Sequence, residues 1–409
     1  MFVGKKCNYY LKFLGGFVYN IKRFQITLVQ IIKNSYNIYS FWFFEVLRYK
    51  MSGIKDVAKR AGVSISTVSN VLNKSKYVSP ELKERVEEAV EALAYEVDPI
   101  ARSMKNNRTG IIGVITEDMC GVFYPYVVKG INSVAVEKGY QIVICDAQTA
   151  YGGKGGMQRE RDVFRKLISS RVDGIIFATM VPDEEEEEYF AQIKKDANRY
   201  KKIPMVSIER DLTSVGIDSV YFDNYNNAKC AVQHLIDCGC KKICHITGAM
   251  VLEIAQERVK GYRDCMAENG LVVEERMIVQ GNYTHQSGYT AAKLLLENVP
   301  DADGIFCAND QMAIGTMRYL KEIGKRMPQD IKLMGYDDVF LSGVVQPSLS
   351  TIHIQKRHAG IEAARILIDR IESGEDAPEE VQKIKMEASL VVRKSTVEDA
   401  PEDWSLADW

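Results

Sequence analysis

The chain has 409 residues, a formal charge of −2 and a sequence that is 46% hydrophobic. A balance this close to neutral says little about nucleic acid until the chain is divided. The nine cysteines are scattered and fit no standard zinc spacing, and free thiols suit a reducing, cytoplasmic setting.

Residues 1–50 carry eight Lys or Arg, one acidic residue (Glu45) and many aromatics. Lys12, Lys22, Arg23, Lys33 and Glu45 interrupt every apolar run before it reaches transmembrane length, and no small-residue cleavage site follows a compact apolar core. The segment is read as a non-native or disordered extension, with Met51 as the start proper; a membrane-surface anchor is the alternative. The string IKDVAKRAGVSISTVSNVLN then predicts two short helices joined by a tight turn at Gly62, which tolerates a backbone angle other residues resist. Ser64 is placed to cap the second helix. That helix offers Val68, Val71 and Leu72 to a core and Ser66, Thr67, Ser69, Asn70 and Asn73 elsewhere. This is the helix-turn-helix pattern that enters a DNA major groove. A plain helical hairpin is the bland alternative. Ser79-Pro80-Glu81 starts a third helix, with Ser as cap and a stripe of Leu82, Val86, Ala89, Val90 and Leu93. Residues 51–97 thus form a headpiece too small to stand comfortably alone.

Residues 98–109 are a linker. Asp98 and Pro99 can open a helix of about two turns, too short to hold itself together in water. From Gly110 onward strand and helix patterns alternate, beginning with the apolar run Ile111-Ile112-Gly113-Val114-Ile115, which predicts parallel sheets covered by helices. The region is long enough for two lobes. Ligands in such folds sit at the carboxyl ends of strands. Phe123 and Tyr124, Glu209 and Arg210, Asn309 and Asp310, and Asp337 and Asp338 all follow predicted strands; Arg258 starts a helix after the loop Gly248–Ala255, and Tyr283 sits in another loop.

Together with YVSPELKERVEEAVEALAYEVDPIARSMKNNRTGIIGVI, RVDGIIFA, VSIERDL, GIFCANDQMAIGTMRYLKEIG and KLMGYDDVFLSGVVQPSLSTIHI, the headpiece string resembles the LacI/GalR family of bacterial transcriptional regulators. The resemblance spans residues 51 to about 396, in order. It implies an α/β protein: a three-helix headpiece and a two-lobed, periplasmic-binding-protein-like body over 110–396, with a tail over 397–409. Lobe 1 is expected over about 110–211 and 355–383, lobe 2 over about 214–353 and 386–396, with crossings near 211–214, 353–356 and 383–386. It implies a dimer, with a tetramer as the alternative, that binds palindromic operator DNA, and no membrane. Base or phosphate contacts fall to Ile65, Ser66, Thr67, Ser69, Asn70 and Asn73. Ala101 and Met104 fall in a minor-groove hinge helix, Met104 as the wedge. A small-molecule effector, a sugar or related metabolite, would meet Phe123, Tyr124, Glu209, Arg210, Arg258, Tyr283, Asn309 and Asp337. Two Arg offset by Glu209 and Asp337 favour a neutral polyol over a dianion.

Three positions depart from the family pattern. Glu209 stands where sugar-binding relatives often have Asp, Gly121-Val122 replaces Asn-Pro, and Asn70 stands where many members have Arg, which shifts the expected base from guanine to adenine. No cofactor or metal is expected: Cys238, Cys240 and Cys244 with His234 and His245 read as core or surface side chains. The acidic run Glu184–Glu188 reads as a solvated face. A secreted sugar-binding protein and an enzyme are the rival classes. The headpiece argues against the first, and the absence of a nucleophile elbow, phosphate loop or metal triad argues against the second.

Overall fold

The computed structural model describes residues 53–73, 76–95, 108–147, 154–199 and 202–401. The readings of the extension and of the hinge, Ala101 and Met104 included, lie outside these residues. The chain divides into two compact units, 1–101 and 102–409.

In the first unit, α1 (Ile54–Ala61), α2 (Ile65–Asn73) and α3 (Pro80–Ala92) pack around Val57, Ala58, Ala61, Val68, Val86 and Ala89. Gly62 closes α1 in the left-handed region (φ 65°), donating to the Ala58 carbonyl. Ser64 Oγ accepts from Thr67 N at 3.1 Å, the cap that starts α2. Arg85 on α3 donates to the Ala61 carbonyl at 2.6 Å and so ties the third helix to the turn. Ser79 occupies the cap position of α3, but its side chain makes no capping bond; Pro80, with its preset φ, opens the helix.

The body runs β1 (Ile111–Thr116), α4 (Tyr124–Glu137), β2 (Gln141–Asp146), α5 (Lys154–Ser169), β3 (Gly174–Phe177), α6 (Asp183–Ala197), β4 (Met205–Glu209) and β5 (Asp218–Phe222). It continues with α7 (Asn224–Asp237), β6 (Ile243–Thr247), α8 (Glu253–Glu268), β7 (Ile278–Gln280), α9 (His285–Asn298), β8 (Gly304–Cys307), α10 (Asp310–Glu322) and β9 (Lys332–Met334). It closes with α11 (Phe340–Val344), β10 (Thr351–Ile354), α12 (Lys356–Ser373), β11 (Lys383–Met386) and β12 (Ala388–Val391). One parallel sheet has the order β11-β5-β4-β3-β1-β2 and a second has β7-β6-β8-β9. The antiparallel pair β10-β12 completes the second lobe.

Two of the expected crossings move. β5 pairs with β4 in the first sheet, so the chain leaves lobe 1 between Phe222 and Asn224, not at 211–214. Residues 383–386 form β11, the edge strand beside β5, so the last crossing falls between Met386 and Ala388. The middle crossing lies between Ile354 and Lys356, inside the expected span.

Helix α12 returns into lobe 1 and crosses α4 at two glycines. A Cβ on Gly130 would lie 2.0 Å from the Arg357 carbonyl oxygen, and one on Gly360 2.1 Å from that of Val127. Backbone sits on backbone here, and no side chain can give way. Gly130→Ala is expected to force the helices apart and to cost about 2 kcal/mol, an overpacking penalty. Urea unfolding checks this; a stability equal to wild type would mean that the crossing is loose.

Candidate functional site

The carboxyl ends of the two sheets face one cavity of about 510 Å³. All eight residues expected at the effector site line it: Phe123, Tyr124, Glu209 and Arg210 from lobe 1, and Arg258, Tyr283, Asn309 and Asp337 from lobe 2. The parallel topology explains the gathering, because every strand of a lobe ends on the same side.

Burial and hydrogen bonding fix these side chains before anything binds. Tyr124 Oη donates to Glu209 Oε2 at 2.5 Å, and the Tyr124 ring meets Phe123 edge-on with centroids 5.1 Å apart. Arg258, 5% exposed, lies over the Tyr336 ring at 3.8 Å and donates from Nε and Nη2 to Asn224 Oδ1 and from Nη1 to the Ala308 carbonyl. The sequence reading puts Arg258 at the start of a helix; α8 instead begins at Glu253, more than a turn earlier, and carries Arg258 inward. Asn309 caps α10 through Met312 N and donates to the Tyr283 carbonyl. Asp337 is 7% exposed, and its carboxylate accepts no hydrogen bond among the described residues.

Glu209, Tyr283 and Asp337 all have positive φ (76°, 66° and 108°), a conformation that non-glycine residues seldom hold without support from their surroundings. Tyr283 is held partly by Gly248: a Cβ there would lie 1.9 Å from the ring. The Asp337-Asp338 turn is held by Lys356, 3% exposed, whose Nζ donates to the carbonyls of Asp337, Asp338 (3.1 Å) and Ile354 (3.3 Å). Lys356 opens α12, which packs in lobe 1, while its ammonium grips a lobe 2 turn. Asp338 is further braced by His353 Nδ1 at 3.0 Å and Arg393 Nη1 at 2.7 Å.

One predicted residue does something else. Arg210 forms part of the wall, yet its guanidinium is spent on the Val181 carbonyl, Asp183 (2.6 Å) and Glu186 (2.7 Å), none of which lines the cavity. The acidic run at the start of α6 is therefore not simply a solvated face. Nor does the balance of two Arg against Glu209 and Asp337 hold. Glu117, Asp118, Asp146, Glu209 and Asp337 line the cavity against Arg159 and Arg258. Burial pushes the Glu209 carboxyl up, opposed by Tyr124, Arg258 and Arg210. Burial raises Asp337 well above the usual carboxylate range, reinforced by Asp310 and Glu209 and opposed by Arg258 and Lys356. Glu117 directly follows β1 and Thr179 lies two residues past the end of β3, and the strand-end rule that found Glu209 would have found them too.

Behind Thr179, Glu160 is fully buried and accepts from Thr179 Oγ1 at 2.9 Å. Burial pushes its pKa up to about 7. A raised carboxyl contributes stability in full below its unfolded value, and that contribution is lost as pH rises through about 7. Glu160→Gln should therefore gain in Tm relative to wild type between about pH 5 and about pH 8. A difference in Tm that does not change with pH would contradict this.

The cysteines do other work. Cys240 and Cys244 are buried in the core, where desolvation pushes both thiols up to about 12, and His234 Nε2 bonds Thr396 Oγ1 at 2.8 Å. On the headpiece, Ile65 and Ser66 are exposed at the start of α2, with Thr67, Ser69 and Asn70 half-buried behind them.

A helix-turn-helix unit followed in the chain by a two-lobed body with a polar cleft is the organisation of a ligand-responsive DNA-binding regulator. Residues 53–98 match the model for bacterial regulatory proteins of the lacI family, and residues 232–396 that for a periplasmic binding protein-like domain. The HTH-type transcriptional repressor PurR of Vibrio campbellii is 34% identical over 345 residues, which cover 84% of this chain and 98% of that protein. The ribose operon repressor of Halalkalibacterium halodurans is 32% identical, covering 85% and 97%. Among solved structures, the lac repressor dimer bound to operator and the anti-inducer ONPF matches with a TM-score of 0.74 at 26% identity, covering 85% and 99%. A transcriptional regulator CelR–cellobiose complex matches at 0.62 and 28% identity, covering 84% and 99%. The chain belongs to the LacI family of bacterial transcriptional regulators, DNA-binding proteins and not enzymes. Among the described residues no helix is long and apolar enough to cross a membrane.

Proposed function

We propose that this protein is a cytoplasmic repressor that binds a palindromic operator as a homodimer and is controlled by a small hydroxyl-bearing molecule in the cleft between its lobes. The observation that carries the reading is the convergence of eight residues, chosen from the sequence at separate strand ends and loops, on one cavity. The ribose operon repressor among its relatives and the cellobiose-bound neighbour support a metabolite of this size and polarity. The edge of the first sheet supports a dimer: Val136 on α4 and Val143 and Ile144 on β2 are 64%, 43% and 39% exposed. An apolar edge strand of this kind is normally covered.

At the operator, Ile65 meets a thymine methyl, Ser66 and Asn70 read base edges, and Thr67 and Ser69 hold phosphates. Ala101 and Met104 belong to a hinge helix in the minor groove, where Met104 wedges the central step apart. Asn70→Arg is expected to change the preferred base at one symmetric position in each half-site, from adenine to guanine, by about 1–3 kcal/mol of discrimination. Selection on randomised duplexes tests this and the proposed function together. An unchanged operator would remove Asn70 from the readout, and no enriched sequence at all would remove the repressor.

A further inference from the structure

The cleft has acceptors to spare, and its buried cationic donors are largely committed; the Tyr283 hydroxyl is a neutral donor on its wall that has no partner among the described residues. Arg258 has already committed three of its five N–H groups to Asn224 and Ala308. Asn309 has spent its carbonyl on Met312 N and one N–H on Tyr283. Arg210, the second guanidinium that a polyol or an anion would need, is neutralised outside the cavity by Asp183 and Glu186. Against this stand Glu209, to which Tyr124 alone donates among the described residues, and Asp337, 7% exposed, whose carboxylate accepts no hydrogen bond among them. These two carboxylates reach the cavity from opposite lobes, and among the described residues Arg258 is the guanidinium whose charge acts on both. A desolvated carboxylate without a donor is costly, and a cation is the partner that relieves it most.

We infer that the effector carries a protonated amine beside its hydroxyl groups, an amino sugar or an aminated polyol, with the ammonium held against Asp337 and Glu209. The inference rests on the cleft being the effector site. It also gives the cation a mechanical role, since one ammonium shared by a lobe 1 and a lobe 2 carboxylate draws the lobes together. Phe123 and Tyr124 offer the apolar surface on which the carbon skeleton of such a ligand lies. A phosphorylated or carboxylated ligand is rejected by the same carboxylates.

The test is calorimetry on the full-length protein with matched sets: glucosamine, glucose and N-acetylglucosamine; galactosamine, galactose and N-acetylgalactosamine; and putrescine as an amine without hydroxyls. An amino sugar should bind at least about tenfold more tightly than both its parent and its acetylated form. Asp337→Asn should erase that preference. Glu209→Gln should reduce it, and so provides a second reading if the first variant melts early. A parent sugar that binds as tightly as its amine overturns the inference, as does the failure of every amine at millimolar concentration; the cleft could still be the effector site. An amine preference that leaves operator affinity unchanged supports the inference and overturns the control of DNA binding by the cleft.

Discussion

Arg258→Ala is expected to abolish the response to effector and to weaken the body at the same time. The guanidinium ties Asn224, at the first crossing between lobes, to the Ala308 carbonyl at the end of β8, and it covers the face of Tyr336. Its charge also does more than that of any other cation to favour the ionised forms of Glu209 and Asp337, so its loss leaves both carboxylates more strongly disfavoured in their charged forms. Losing a charged donor to buried acceptors costs about 3 kcal/mol, on the order of 100-fold in affinity. Calorimetry reads the lost affinity and thermal melting the lost stability. The headpiece is a separate unit, so operator binding by the ligand-free variant should stay near wild type. Normal affinity for the effector in this variant would move the binding site elsewhere.

Lys356→Met is expected to have the second largest effect, through the geometry of the Asp337-Asp338 turn and the loss of a positive charge beside Asp337, although Lys356 itself lines no part of the cavity. Its ammonium satisfies three carbonyls at the middle crossing and holds Asp337 and Asp338 at φ 108° and 54°. Methionine keeps the volume and removes the donor. Leaving buried carbonyls unpaired costs about 1–3 kcal/mol for each that finds no water. The strained turn then relaxes toward ordinary backbone, and Asp337 swings off its aim into the cleft. Effector affinity should fall by about tenfold or more, with melting lowered as well. Lys356→Arg should restore part of both, since a guanidinium offers donors at a similar reach. Wild-type affinity in Lys356→Met would show that the turn holds its shape without the clamp.

Much of this was legible in the sequence, for identifiable reasons. The headpiece is local: Gly62, the Ser64 cap and the apolar spacing are all settled within a turn or two of the residues that declare them. The cleft residues were legible because strand ends in a parallel sheet share one side, so a residue's place in its own element already tells where it faces. What failed was long-range. Nothing near Arg210 announces that Asp183 and Glu186, on another helix, will claim it. The sheet a strand joins depends on its partners, and β5 chose β4. β11 was mistaken for a crossing because four residues at a sheet edge, with lysines at 383 and 385 facing out, carry little apolar signal. Lys356 gave no signal either: a lone lysine after a strand is ordinary until three carbonyls are found around it.

Control of DNA binding from the cleft is most directly tested by linkage. Operator affinity of the full-length protein is measured by fluorescence anisotropy, with the cleft empty and with it saturated by whichever sugar or amine binds there most tightly. Affinity for that ligand is then measured on the free protein and on the operator complex. If the two sites communicate through lobe closure, the two ratios must agree, at about tenfold or more. Operator affinity that is the same with the cleft empty and full would contradict the account.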